Sequence, residues 1–179
     1  VKLRSLPPRQ AEEQLYSAFI KTLRLRDLSE GKEQGVILTA YGETLGLYSE
    51  WSVASTGELR ALNHMSRRRR LSPGRTFVIP LENTTEAAFN EDRATYHHER
   101  ERSFFSSYQV VEIQERTVRS GESIWGLTQS DNIPMWLFYR ENPSLLGKAL
   151  QPGMTYFMPI LKQVALAQSG DTSVESSQN

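Results

Sequence analysis

The chain contains no cysteine. That absence removes disulfides, thiol nucleophiles and cysteine metal sites together, and it is compatible with cytosol or periplasm alike. An excess of either charge is missing too: 21 Lys plus Arg stand against 21 Asp plus Glu. Net charge therefore gives no prompt toward nucleic acid or an acidic substrate. No apolar run reaches the roughly 18 residues that a membrane-spanning helix needs. The opening stretch, VKLRSLPPRQAEEQ, lacks the apolar centre of an export signal. Because the sequence starts at Val1 rather than Met, the expectation is a processed or trimmed chain whose signal or anchor is not visible in it. Aromatics are sparse, at 9 %, and hydrophobic residues make up 38 %, which suits one modest core or several small ones in 179 residues.

What is present is a repeat. RSGESIWGLTQS (119–130) has a weaker copy, AYGETLGLYSEW (40–51), displaced by 79 positions. The same offset, without a gap, pairs Asn63 with Asn142, Leu71 with Leu150, Pro73–Gly74 with Pro152–Gly153 and Pro80 with Pro159. The closing segment RTFVIP (75–80) matches MTYFMP (154–159). One register held between turn and strand signals at both ends marks a duplicated unit.

Each copy reads as strand, helix, helix, strand. GVILTAY (35–41) is β-rich and ends at a glycine, and its counterpart QERTVRS (114–120) is more polar, like an edge. Gly42 and Gly121 suit a sharp turn that needs positive φ. Glu43–Thr44 and Glu122–Ser123 place an acid and a hydroxyl in the first helical turn, where free N–H groups favour them. Leu45, Leu47 and Tyr48, or Ile124, Trp125 and Leu127, then supply a buried helical face. A second helix ends at Asn63 or Asn142, and a Pro-Gly turn leads into the last strand. Two strands alone are marginal, so both helices must pack on one face of the pair.

These markers resemble the LysM family, small βααβ modules that bind N-acetylglucosamine-containing glycans such as peptidoglycan and chitin. The second copy carries Gly121, Glu122, Ser123, Ile124, Trp125, Leu127, Asn142, Pro143, Leu150, Pro152, Gly153 and Pro159. The first carries Gly42, Glu43, Thr44, Leu45, Asn63, Leu71, Pro73, Gly74 and Pro80, but has Gly46 where Trp is expected and His64 where Pro follows Asn. Gly in a helix costs about 1 kcal/mol against Ala, and the missing aromatic implies a smaller core.

The resemblance implies an α+β chain of two small βααβ modules joined and flanked by helices. Its expected parts are an N-terminal helical segment (1–34), a divergent module (35–81), a helical linker with a possible extra strand (82–113), a second module (114–161) and a disordered tail (162–179). It further implies a non-catalytic peptidoglycan- or glycan-binding protein of the bacterial periplasm or cell envelope. In the family, sugar lies between the strand–helix turn and the loop after the second helix. By position that carries over to Gly121, Glu122, Ser123, Ile124, Pro143, Ser144, Leu145 and Leu146. In the first copy it carries over to Gly42, Glu43, Thr44, Leu45, His64, Met65, Ser66 and Arg67. The alternative is a structural or interaction subunit of a larger envelope assembly, with the modules used as scaffold.

Around the copies, 9–28 reads as a helix with Leu15, Ala18, Phe19 and Leu23 on one stripe. Residues 84–108 read as a helix opened by a Thr cap, charged in the middle and aromatic at its end, with Phe104, Phe105 and Tyr108. These helices either fix the modules' orientation or dock envelope protein partners. The stretch 108–120 is longer than one module needs, so an extra strand is expected there. Arg67–Arg70 reads as a solvated run beside the first groove, or as an attractor of anionic groups. His97 and His98, adjacent on a helix, do not converge on a metal and are expected to face solvent. No Ser-His-Asp set, phosphate loop or dinucleotide fingerprint is found, so neither catalysis, a cofactor, a metal nor a nucleic-acid partner is expected.

Overall fold

A computed structural model describes Leu3–Arg4 and residues 34–164. The helix expected over 9–28 lies outside the described residues, as does the tail from 165 on. The fold is α+β, with two small antiparallel sheets and helices packed against them.

The first unit is built from β2 (Gln34–Leu38), α1 (Leu45–Ser52), α2 (Thr56–Leu62) and β3 (Thr76–Pro80). β2 and β3 pair antiparallel, from Gln34 opposite Pro80 to Leu38 opposite Thr76. The second unit repeats this with β4 (Tyr108–Thr117), α4 (Ile124–Ser130), α5 (Met135–Glu141), a 3-10 turn at Pro143–Leu145, and β5 (Thr155–Gln163). A two-residue strand, β1 (Leu3–Arg4), pairs with β4 at Gln114 and Ile113, so the second sheet runs β1-β4-β5.

The duplication extends to individual hydrogen bonds. Asn63 Nδ2 donates to Leu59 O (2.9 Å) and Val78 O (2.8 Å), while its Oδ1 accepts from Val78 N (2.7 Å). Asn142 makes the same three bonds with Phe138 O (2.8 Å), Phe157 O (2.7 Å) and Phe157 N (2.7 Å). One amide thus caps the second helix and ties it to the closing strand, which an unbranched apolar residue could not do. Thr39 N donates to Arg75 O and Gly74 N to Thr39 O, matched by Val118 N to Met154 O and Gly153 N to Val118 O. Every one of these pairs is displaced by 79.

Three local expectations are corrected. The acid and hydroxyl lie just before the first helix rather than in its first turn: Thr44 and Ser123 are its N-caps, accepting from Leu47 N and Gly126 N. Capping of this kind stabilises by about 1 kcal/mol. Glu43 and Glu122 close the preceding turn, accepting from Ala40 N (2.6 Å) and Arg119 N (2.7 Å). The extra strand is no separate element, because β4 runs unbroken for ten residues with a register shift between Val110 and Glu112. β5 follows it, so Lys162 and Gln163, expected in the tail, are in the sheet.

Each unit has its own core. The first gathers Ile37, Tyr48, Trp51, Leu59, Phe77, Ile79 and Phe89. The larger second core centres on Leu137, Phe138, Tyr156 and Met158. Helix α3 (Glu86–Phe105), N-capped by Thr85 through Ala88 N, serves both. Its first half contributes Phe89 to the first core, and its last turn packs Phe104 and Phe105 edge-on against Trp136 of the second. The linker therefore positions the two units against each other, filling one wall of each small core. Backbone contact completes the joint: a Cβ on Gly74 would stand 2.7 Å from Gly147 Cα and N and from Leu146 C.

Candidate functional site

The two strand–helix corners share a backbone design but not an environment. Gly42 (φ 91°) and Gly121 (φ 85°) both take the left-handed turn that their lack of a Cβ permits. Around Gly42, helix α3 reaches in. Arg100 Nη1 donates to Tyr41 O (2.9 Å) and Tyr96 Oη to Gly42 O (3.0 Å). A Cβ on Gly42 would meet Arg100 Nη1 at 2.7 Å, whereas one on Gly121 would meet nothing within 4 Å. The second corner is open among the described residues; in the first, the turn carbonyls already have donors.

Glu43 belongs to the interior. Its carboxylate accepts from Arg93 Nε (2.6 Å) and Nη2 (3.0 Å), from Ala40 N, and from the Tyr48 hydroxyl. His97 Nε2 lies 2.9 Å from Glu43 Oε1. Arg100 Nη2 lies 2.9 Å from His97 Nδ1. A guanidinium only donates, so Nδ1 accepts and the proton sits on Nε2, facing Glu43. Burial alone would raise the Glu43 pKa, but the His97 hydrogen bond and the Arg93 charge outweigh it and hold the carboxyl at about 2. Burial lowers the pKa of His97, which the bond to Glu43 opposes.

This network corrects one expectation. His97 does not face solvent, because it lies fully enclosed against Glu43, while its neighbour His98 is exposed. Glu43 cannot offer its side chain to a sugar, since its oxygens are occupied by buried donors. Glu43, Tyr48, Arg93 and His97 are all buried. Together they clamp α3 onto the corner.

Of the other first-unit candidates, Thr44 is an exposed N-cap and Leu45 is half-buried. His64 is exposed at φ 49°, and Met65 packs against the core. Ser66 O accepts from Arg60 Nη1, and Arg67 is exposed. In the second unit Gly121, Ser123, Pro143 and Ser144 are exposed, while Glu122 and Leu146 are half-buried. Ile124 and Leu145 belong to the same buried cluster, against which Leu146 packs.

Trp125 was expected inside, yet it is 67 % exposed. The helix places Ile124 and Thr128 inward, and 100° per residue turns position 125 outward. The matching Gly46 is exposed too, so the first unit loses no core area by lacking the aromatic. Helical spacing within IWGLT contained that signal. A cavity of about 620 Å³ lies beside the open corner, lined by Glu115–Arg119, Glu122, Leu127, Ser130, Asp131 and Tyr156. It shares Glu122 with the candidate residues and none of Pro143–Leu146. Arg116 and Asp131 form an ion pair on its wall. Among the described residues no group of three or more His, Cys, Asp or Glu is placed to hold a metal.

No family model matches the chain. No curated protein matches it either. Among solved structures, the spore cortex-lytic enzyme SleL of Bacillus cereus is similar over 72 % of this chain at 14 % identity, with a TM-score of 0.27. The chain spans 23 % of that enzyme's length, and a likeness this small carries no argument about fold or activity.

Proposed function

We propose that this is a non-catalytic protein of the bacterial cell envelope that binds peptidoglycan or a related N-acetylglucosamine glycan through its second LysM-like unit. The observation that carries the reading is the open corner at Gly121, with the exposed indole of Trp125 beside it. The fold's own hydrogen bonds use the Glu122 carboxylate and the Ser123 hydroxyl. They leave the glycine turn, the indole and the exposed Pro143–Ser144 edge facing solvent. A shallow surface with an apolar plate and backbone groups on fixed turns suits an N-acetyl sugar.

Titration with N-acetylglucosamine oligomers tests this directly. Trp51 and Trp136 are buried while Trp125 is exposed, so a ligand on the corner should shift tryptophan emission through Trp125. Trp125→Ala should abolish the shift and weaken co-sedimentation with peptidoglycan about tenfold. A folded wild-type chain that neither shifts nor pellets would overturn the proposal.

One observation favours a second reading for the first unit. Its corner carbonyls are bonded by Arg100 and Tyr96, which suits a scaffold role in a larger envelope assembly. On that reading Thr44→Trp leaves pelleting unchanged.

A further inference from the structure

Between Leu59 and Leu81 the chain has six arginines and no acidic residue, although it is neutral as a whole. Four of them, Arg67–Arg70, are consecutive and exposed on the loop between α2 and β3. Among the described residues none of the four has a carboxylate partner. The loop is nevertheless held in shape: Arg60 Nη1 donates to Ser66 O (2.7 Å) and Arg69 O (3.1 Å), and Arg69 N donates to Ser66 O (3.1 Å). A fifth cation thus staples a loop of four like charges whose mutual repulsion nothing described in the chain offsets. At the matching positions the second unit has Leu146, Gly147, Lys148 and Ala149.

The loop's position gives this charge a use. Three residues after Arg70, the Pro73–Gly74 turn touches Leu146–Gly147, the end of the second unit's candidate loop. That loop is acid-free as well from Asn142 to Gly153, and Lys148 follows the contact. The contact therefore brings the end of the arginine loop to the end of the second unit's candidate loop.

We propose that Arg67–Arg70 form an anion-reading rim for the second unit's glycan site, taking carboxylates carried by an N-acetylglucosamine polymer and so favouring acidic over neutral polymers. The inference rests on the glycan-binding reading above. Guanidinium forks match carboxylates in a bidentate geometry that ammonium groups do not offer. A nucleic acid fits the loop less well. No Phe, Tyr or Trp lies between Asn63 and Arg75 on which bases could stack.

The test compares binding of the full chain to peptidoglycan, to peptidoglycan with its carboxyls amidated, and to chitin, at low and high salt. The variants are R67S/R68S/R69S/R70S and, as a milder change, Arg68→Glu, each checked for an unchanged thermal melt. Four exposed pairs acting together should give about tenfold or more at low salt. The quadruple variant should lose that factor on peptidoglycan alone and match wild type on chitin and on the amidated polymer. Arg68→Glu should fall between. Wild-type binding to peptidoglycan should weaken with salt, and the quadruple variant's should not.

Equal affinity of wild type and quadruple variant for unmodified peptidoglycan overturns the inference while leaving the glycan reading intact. A wild-type chain that binds neither polymer overturns both. Arginine-dependent binding to phosphatidylglycerol vesicles or polyphosphate, as tight as to peptidoglycan, would make the loop a general polyanion site and overturn the carboxylate assignment.

Discussion

Glu43 and Arg93, fifty positions apart, meet at 2.6 Å with both side chains enclosed, joining the strand–helix turn of the first unit to helix α3. Removing one partner leaves the other charge buried without compensation, which costs about 3–5 kcal/mol. Arg93→Met should lower the stability of the chain by that order in urea titration. Glu43→Gln with Arg93→Met should recover part of the loss, since both charges are then gone.

The same network sets a pH dependence. Glu43 titrates at about 2 when folded against an ordinary 4.5. Its contribution is thus complete above about 4.5 and disappears as pH falls through about 2. His97 has a lowered folded pKa, so stability also declines as pH drops below its ordinary 6.5. Thermal melts should accordingly move down with acidification, and His97→Gln should remove the part that begins near neutrality.

Glu101 acts in the opposite sense. Burial pushes its carboxyl up to about 6, against the pull of Arg140 at 3.4 Å, and its Oε1 is buried without a partner. A raised carboxyl pKa means that the penalty grows as pH climbs from about 4.5 through 6. Glu101→Gln should therefore stabilise the chain by about 1–2 kcal/mol at pH 8 and change it little at pH 4. Denaturation at the two pH values checks the difference.

Asn63 and Asn142 make the same three bonds in their respective units. Replacing either with Ala strands a strand N–H and C=O beneath the helix end, worth about 2–3 kcal/mol. Unfolding measurements should show similar losses for the two variants, reporting the duplicated architecture by energy rather than by sequence.

Glycines divide sharply by role. At Gly46 an added Cβ would meet Thr44 Oγ1 at an ordinary 3.6 Å inside a helix, so Gly46→Ala should stabilise by about 0.5–1 kcal/mol. At Gly74 the backbone is at φ 74° and the Cβ would strike backbone at 2.7 Å. Gly74→Ala should destabilise by about 2 kcal/mol or more, and a melt of each variant distinguishes the two signs.

Much of the fold was legible because the repeat preserves residues that satisfy backbone groups: the glycine turn, a hydroxyl near the helix start, the asparagine ending the second helix and the Pro-Gly turn. Such residues act locally and leave local marks. The clamp on Glu43 was not legible. Arg93 and His97 sit in a run of charge that reads as a solvated face, and only the packing of α3 against a turn fifty residues earlier turns them inward. Trp125 was misplaced because a family marker on an apolar helix suggests core, whereas the helix phase set by Ile124 and Thr128 points it outward. The closure of one corner and the opening of the other likewise depend on where a linker lies, which periodicity within each unit does not encode.

The contact between Gly74 and Gly147 ties the histories of the two halves together. Each turn leaves no space for a side chain on the other, so neither half can gain bulk there unless its twin yields. Elsewhere the copies differ freely, with Gly46 standing opposite Trp125 and Arg67–Arg70 opposite Leu146–Ala149. At this joint a side chain on either turn would force the other to move, so two glycines 73 positions apart act as one spacer.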